Sequence, residues 1–221
     1  MSNKVAIGAL IKTMDHENGH VSIELDNPPV NALSVSLVDQ LSEAILNVAE
    51  MDDVKLLTVG GSKHHFSAGA DLKERSKMSD KEAMQFLEKL NNCFDLIENL
   101  EIPTIAYIKG ATLGGGAELA LCCDMIVGKP TRVGIPCALH KIGFPETKLG
   151  IIPGAGGTYR IYKKMPQGVA KYWIVSANTF SLEKAFEHGF VDLIIKQESD
   201  YFKLVSSILY NSKTSLMAAK K

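Results

Sequence analysis

Three consecutive glycines, Gly114 to Gly116, constrain the fold of this chain more than any other feature of its sequence. They follow a short apolar segment, Thr104 to Ile108, and precede an almost wholly apolar run from Ala117 to Val127, which we predict to be a buried helix. Because glycine has no side chain, backbone N–H groups in such a turn can approach a ligand closely. The pattern predicts a strand, a turn of accessible amides and a helix whose first turn begins within the glycines.

Glu118 interrupts this apolar run three positions after Gly115, and therefore lies on the same side of the helical turn. As a purely structural residue it would interact with the helix dipole, worth about 0.3–1 kcal/mol, with its head in water. Its apolar neighbours, Leu113 and Leu119 to Leu121, argue against a hydrated head, and an unpaired buried carboxylate is costly. We interpret Glu118 as a functional carboxylate.

Length and charge restrict the class of protein. The 221 residues, 46% of them hydrophobic, predict one substantial core with a small appendage. The 24 basic and 25 acidic side chains give a net charge of −1, so no global field attracts nucleic acid or anionic lipid. The apolar runs are shorter than the ~20 residues of a membrane span, and no signal peptide is apparent. We expect a soluble intracellular protein without a nucleic-acid or membrane partner.

Metal binding is not indicated by the cysteines or histidines. Cys93, Cys122, Cys123 and Cys137 show no paired CxxC spacing, and we predict buried, reduced thiols. The six histidines are scattered except for one adjacent pair, and no HExxH spacing occurs. The sequence therefore predicts no metal site.

Strand and helix signals alternate along the chain. We predict a hairpin within 6–25, a helix capped by Ser34 or Ser36 and running to about Met51, a strand at Val54 to Val59, and a helix beginning at Ser79 with a capping box to Glu82. This order predicts right-handed crossovers onto a parallel sheet. Ligands bind such sheets at the carboxyl ends of strands, where both glycine-containing loops lie.

Four motifs in order resemble those of the crotonase superfamily, most closely an enoyl-CoA hydratase: Asn27 to Leu33, Phe66 to Leu72, Gly114 to Ala120 and Pro145 to Gly157. The resemblance implies an α/β fold, a crotonase-like spiral of repeated ββα units with a shortened C-terminal helical region. It assigns residues 1–195 to an acyl-CoA-binding catalytic core and 196–221 to a truncated C-terminal helical segment. Residues 129–141 look inserted relative to the family, and such an insertion could displace Glu146.

The resemblance implies syn addition of water to a trans-2-enoyl-CoA thioester. The backbone N–H groups of Ala70 and Gly115 would form an oxyanion hole for the thioester oxygen. Glu146 would exchange the proton with the α carbon, while Glu118 would activate the water that adds at the β carbon. Two acids close together in an apolar pocket titrate as a coupled pair.

The resemblance also implies where the acyl-CoA binds: Ala32, Ala68, Ala70, Asp71, Leu72, Lys73 and Gly115. Lys63, Lys73 and Arg75 are candidates for the coenzyme A phosphates, although solvated surface charge explains them equally well. No metal or redox cofactor is expected, because the thioester is itself the substrate. The resemblance also implies a homotrimer or hexamer, provided that the C-terminal helices missing here are not essential for assembly. We expect a cytoplasmic protein; the mitochondrial matrix is the alternative, although no transit peptide is seen.

Other functions remain open at this point. An enoyl-CoA isomerase of the same family needs one carboxylate, so the presence of both Glu118 and Glu146 favours the hydratase. A catalytically impaired acyl-CoA-binding subunit, even an RNA-associated one, is favoured by the insertion and by the early C-terminus, whereas the two intact glutamates disfavour it. A dinucleotide-binding domain is disfavoured, because the glycine triplet lacks the GxGxxG spacing.

Overall fold

The computed structural model describes residues 5–7, 9–16, 18–130 and 140–221. Its main sheet has seven strands in the order β1-β2-β3-β4-β5-β7-β10. The first two pairings are antiparallel and all later ones are parallel, which confirms the predicted hairpin and the crossovers. The strands are β1 Val5–Ile7, β2 Ile11–Asp15, β3 His20–Leu25, β4 Leu56–Gly61, β5 Thr104–Ile108, β7 Met125–Gly128 and β10 Leu193–Ile194.

A second, smaller sheet lies beside the glycine turn. It contains β6 Thr112–Leu113, β8 Ile142–Gly143 and β9 Thr179–Phe180 in the order β6-β8-β9. The Gly114 N–H donates to the Gly143 carbonyl at 2.9 Å, directly after the β6–β8 pairing ends. The small sheet therefore brings the glycine turn against the segment that carries Glu146.

Helices cover both faces of the main sheet. They are α1 Val35–Ala49, α2 Leu72–Arg75, α3 Asp80–Glu98, α4 Gly115–Leu121, α5 Gly157–Lys164, α6 Gln167–Ser176, α7 Leu182–Glu187, α8 Glu198–Leu209 and α9 Lys213–Lys220, with a 3-10 helix at Glu146–Leu149. Ser34 caps α1, and Ser79 and Glu82 form the predicted capping box of α3. These sequence-local signals hold because each cap satisfies backbone donors within its own turn.

The predicted helix from Ala117 to Val127 is wrong in its second half. Helix α4 ends at Leu121, and Met125–Gly128 forms strand β7 between β5 and β10. Short apolar runs suit a buried helix and a buried parallel strand equally well, so periodicity does not separate them.

The core lies mainly between the sheet and helices α1 and α3. On the other face α8 packs Tyr201 and Val205 against Leu56 and Ile105 of the sheet. Cys93, Cys122 and Cys123 are buried free thiols, as predicted, and Cys137 lies outside the described residues. Among the described helices none is long and apolar enough to cross a bilayer.

Candidate active site

Two loops from neighbouring strands meet at the carboxyl ends of β4 and β5. The Leu113 N–H donates to the Ser67 carbonyl at 3.0 Å and holds the loops side by side. Gly69 has φ +88°, and a Cβ atom there would lie 2.7 Å from the Leu113 carbonyl oxygen. Both facts require glycine at this position. The small residues of the first loop therefore allow it to contact the glycine turn closely.

The amides of Ala70 and Gly115 lie next to each other at this junction. A Cβ atom at Gly115 would be 3.6 Å from the Ala70 nitrogen. Hydrogen bonds on either side of Ala70 join Leu33 N–H to Gly69 O and Asp71 N–H to Leu33 O, which leaves the Ala70 N–H outside that ladder. Gly115 is the first residue of α4, so its N–H has no acceptor within the helix. The two amides are thus available to a ligand.

A cavity of about 220 Å³ opens at these amides. Its walls are mostly apolar and come from the first loop, helices α2 and α3, the glycine turn, the 3-10 helix and the loop before α5. The lining includes Ala68, Ala70, Leu72, Arg75, Phe86, Leu87, Leu90, Gly115, Glu118, Glu146, Leu149, Ile151, Ile152 and Ala155. Both sequence-predicted glutamates line this one cavity.

Glu118 is anchored by backbone donors from the loop before α5. Its side chain is 3% exposed, and its Oε1 accepts hydrogen bonds from the Ala155 and Gly157 N–H groups, each at 2.8 Å. Burial raises the pKa of the Glu118 carboxyl, while the two amides and the Arg160 guanidinium act in the opposite direction. Glu118 is therefore a buried acid whose carboxyl is fixed by hydrogen bonds. This excludes the purely structural interpretation, in which its head group lies in water and interacts with the helix dipole.

Glu146 begins the 3-10 helix and reaches the glycine turn. A Cβ atom at Gly114 would lie 2.7 Å from Glu146 Oε1, and Gly114 has φ +51°, so only glycine fits beside this carboxyl. Glu146 Oε2 is buried without a hydrogen-bond partner in the described part of the chain. Burial raises the pKa of Glu146 to about 7, and the nearby charge of Glu118 adds to the increase. The carboxyl is therefore close to half-protonated at neutral pH.

Arg160 supports the loop that holds Glu118. Its Nη1 donates to the Ala155 carbonyl at 2.7 Å, and its other nitrogens donate to Asp95 and Glu98 of α3, also at 2.7 Å. Arg160 is almost fully buried, whereas both carboxylates are partly exposed. Sequence reasoning missed this residue and the Ala155 and Gly157 donors. A signal was present, because a cation near the start of a helix opposes its dipole and calls for a partner.

Several other predicted binding residues lie outside the cavity lining. Asp71 caps α2, where its Oδ1 accepts from the Lys73 and Glu74 N–H groups. Lys63 and Lys73 are exposed, and Ala32 is half-buried, with its carbonyl accepting from Asn27. Their predicted contacts with the coenzyme A portion stay predictions.

The sequence left open whether the apparent insertion displaces Glu146; in the structure its carboxyl lies against the glycine turn. Most of the apparent insertion, residues 131–139, lies outside the described residues. The described ranges contain no group of three or more His, Cys, Asp or Glu side chains placed to hold a metal ion.

Comparison with known proteins identifies the family of this chain. The family model described as enoyl-CoA hydratase/isomerase matches residues 15–221. The chain belongs to the enoyl-CoA hydratase/isomerase family. An enoyl-CoA hydratase from Bacillus anthracis superposes with a TM-score of 0.85 at 29% identity, over 100% of this chain and 81% of that one. This similarity confirms the crotonase-like fold implied by the motifs. The chain is a member of an enzyme family whose other members act on acyl-CoA substrates.

Curated relatives of the enoyl-CoA hydratase/isomerase family differ in their named reactions. Human mitochondrial methylglutaconyl-CoA hydratase is 39% identical over 171 residues, 77% of this chain and 48% of that protein. Crotonyl-CoA hydratase of Syntrophomonas wolfei is 33% identical over 195 residues, 86% of this chain and 72% of that protein. The chain spans 48% to 64% of the length of five curated relatives it matches.

Proposed function

We propose that this protein is an enoyl-CoA hydratase, which adds water to a trans-2-enoyl-CoA thioester. The observation that carries the proposal is that two glutamates, the buried Glu118 and the half-buried Glu146, line one cavity together with the unpaired amides of Ala70 and Gly115. The names of the relatives agree with a hydratase, and several of them also include isomerase.

In the proposed reaction, the thioester oxygen binds the Ala70 and Gly115 N–H groups. Addition of water at the β carbon moves electron density onto this oxygen as an enolate develops. Preformed N–H donors stabilise that charge without reorganising, and removal of one such donor costs about 2.7–4 kcal/mol in comparable sites. The amides therefore lower the barrier to addition.

The two glutamates divide the proton transfers between them. Glu118 takes a proton from the water whose oxygen bonds to the β carbon, and its Oε1 is kept oriented by the two amides. Glu146 gives its proton to the α carbon, which its pKa of about 7 permits at neutral pH. The product gains the elements of one water, and proton return from Glu118 to Glu146 restores the enzyme.

An isomerase of the same family is the second candidate. Moving a double bond requires one group to remove a proton and return it at another carbon, and Glu146 alone suffices for this. The anchoring of Glu118 by two amides favours the hydratase, because a second held acid on the cavity wall has no role in a one-acid mechanism.

Crotonyl-CoA hydration, followed by loss of the conjugated enoyl absorbance, tests the proposal. We expect Glu118→Gln and Glu146→Gln each to lower kcat by at least 100-fold, because each removes a general acid or base. Glu101→Gln, at an exposed acid, is the matched control. Hydration that persists within tenfold in either site variant would contradict the mechanism.

An isomerase gives a different pattern in the same set of variants. With a trans-3-enoyl-CoA as substrate, the conjugated absorbance would rise in the unmodified protein and in Glu118→Gln, and crotonyl-CoA would stay unhydrated.

The homotrimer or hexamer expected from the resemblance stays a prediction. Measuring the native mass of the protein would test it.

A further inference from the structure

The cavity holds one basic side chain among its described lining residues, and the hydration mechanism does not use it. Arg75, the last residue of α2, lines the cavity together with Phe86 and Leu87 of α3. The acidic lining residues, Glu118 and Glu146, come from α4 and the 3-10 helix. A half-buried guanidinium in a largely apolar substrate cavity requires an explanation.

The position of Arg75 is fixed by backbone contacts. Its Nη1 donates to the Ala83 carbonyl of α3 at 2.8 Å, one turn before Phe86 and Leu87. The adjacent Glu74 accepts from the Val35 N–H of α1 at 3.0 Å, which ties the short helix to α1 as well. The guanidinium is therefore held on the α2–α3 wall.

Arg75 has no carboxylate partner within the described ranges. In the ion pairs among those residues, the basic partner is a lysine or Arg160 and never Arg75. The hydrogen bond from Nη1 uses only one of the five N–H donors of the guanidinium. The planar arrangement of these donors matches the two oxygens of a carboxylate or phosphate. The arrangement suits an anionic ligand group.

We propose that Arg75 is a specificity-determining residue that binds a carboxylate at the distal end of a short 2-enoyl group. This inference rests on the proposed hydratase function. The cavity volume of about 220 Å³ is below the roughly 300–1,000 Å³ typical of drug-sized ligand sites, which favours a short acyl chain. With the thioester oxygen at the Ala70 and Gly115 amides, the apolar α3 side chains contact the acyl chain and the guanidinium pairs with its charged end.

A phosphate of coenzyme A is the other source of an anion, and substrates separate the two. Glutaconyl-CoA carries a distal carboxylate, and 5-methyl-trans-2-hexenoyl-CoA replaces it with an uncharged group of similar shape. Arg75→Met removes the charge with a side chain of similar length, and Arg75→Lys keeps the charge but loses the fork. Lys77→Met, at an exposed cation two residues away, is the matched control.

We expect Arg75→Met to lower kcat/KM for glutaconyl-CoA at least tenfold relative to the uncharged substrate, because a charge-assisted pair is lost. Arg75→Lys should fall between the two, and Lys77→Met should match the unmodified protein. An equal decrease for both substrates would assign Arg75 to a phosphate, and unchanged ratios would leave it without a ligand. Either result overturns the proposal.

Binding to the unmodified protein keeps the test independent of variant folding and of hydration. Calorimetry with saturated glutaryl-CoA and 5-methylhexanoyl-CoA should show at least tenfold tighter binding of the charged thioester. Tighter or equal binding of the uncharged thioester would refute the assignment of Arg75. A protein that binds glutaryl-CoA preferentially but hydrates neither enoyl substrate would refute the proposed function and retain the carboxylate site.

Discussion

Replacing Arg160 by methionine tests whether the loop that holds Glu118 depends on one buried cation. The guanidinium joins the Ala155 carbonyl to Asp95 and Glu98 of α3, with each contact at 2.7 Å. Methionine retains much of the apolar stem and removes every one of these contacts. The loop would then lose its link to α3 apart from a 3.2 Å hydrogen bond from Asn91 to the Gly154 carbonyl among the described contacts.

The magnitude follows from the exposure of each partner. The Arg160 side chain is 7% exposed, whereas Asp95 is 55% and Glu98 is 36% exposed, so water can rehydrate both carboxylates when the cation is removed. Removing one member of a fully buried ion pair costs about 3–5 kcal/mol. The hydrated partners reduce this, and we expect a loss of about 2–3 kcal/mol in the free energy of unfolding, much of it from the Ala155 carbonyl.

Urea unfolding monitored by the fluorescence of the single, buried Trp173 measures this change. Lys163→Met is the matched control on the same helix, because Lys163 is 55% exposed and lies 3.8 Å from Glu98. Its loss should stay below about 1 kcal/mol. A cost for Arg160→Met no larger than that of the control would refute the role assigned to the buried network.

Three further outcomes are expected. The pKa of Glu146 is raised from 4.5 to about 7, so the folded state favours the protonated acid, and this contribution to stability is lost as pH rises from about 4.5 through about 7. In urea titrations over that pH range, the free energy of unfolding of Glu146→Gln should rise relative to that of the unmodified protein. Parallel curves would contradict the assignment. In the unmodified protein kcat/KM for hydration should fall as pH rises through about 7. A Cβ atom at Gly157 would lie 2.7 Å from Glu118 Cγ, so Gly157→Ala should lower kcat at least 100-fold by displacing that carboxyl. Gly168→Ala, where nothing lies within 4 Å, should leave kcat unchanged and add about 0.5 kcal/mol to stability, and equal kcat values in the two variants would show that Glu118 tolerates the displacement.

The elements that the sequence predicted well are those whose signals are local. Ser34 and the Ser79–Glu82 capping box fixed the starts of α1 and α3, because the bonds they form lie within one turn. The parallel order of the sheet followed from alternating strands and helices. Strand β7 was missed because Met125–Gly128 is buried between two other strands, and that environment is created only by tertiary structure.

The candidate site divides in the same way. Gly115 and Glu118 are three residues apart, so helix geometry alone placed them together. The partners of Glu118 are 37 and 39 residues away along the chain, and their N–H groups carry no side-chain signature that a sequence can reveal. Any residue except proline offers the same donor, so the bond depends on where the loop is held and not on which residue donates.

Arg160 is the side chain that holds this backbone segment in the position where its amides reach Glu118. It bonds the carbonyl of Ala155 on one side of a peptide segment whose amides bond Glu118 on the other. Displacement of the loop would therefore change the environment of Glu118, although Arg160 interacts with that carboxyl only electrostatically and forms no hydrogen bond with it. Burial opposes the ionisation of Glu118, and these donors favour it, so the base role proposed for Glu118 depends on the donors staying in place. The position of the Glu118 carboxyl consequently depends on contacts made by α3 and α5, two helices to which it does not belong.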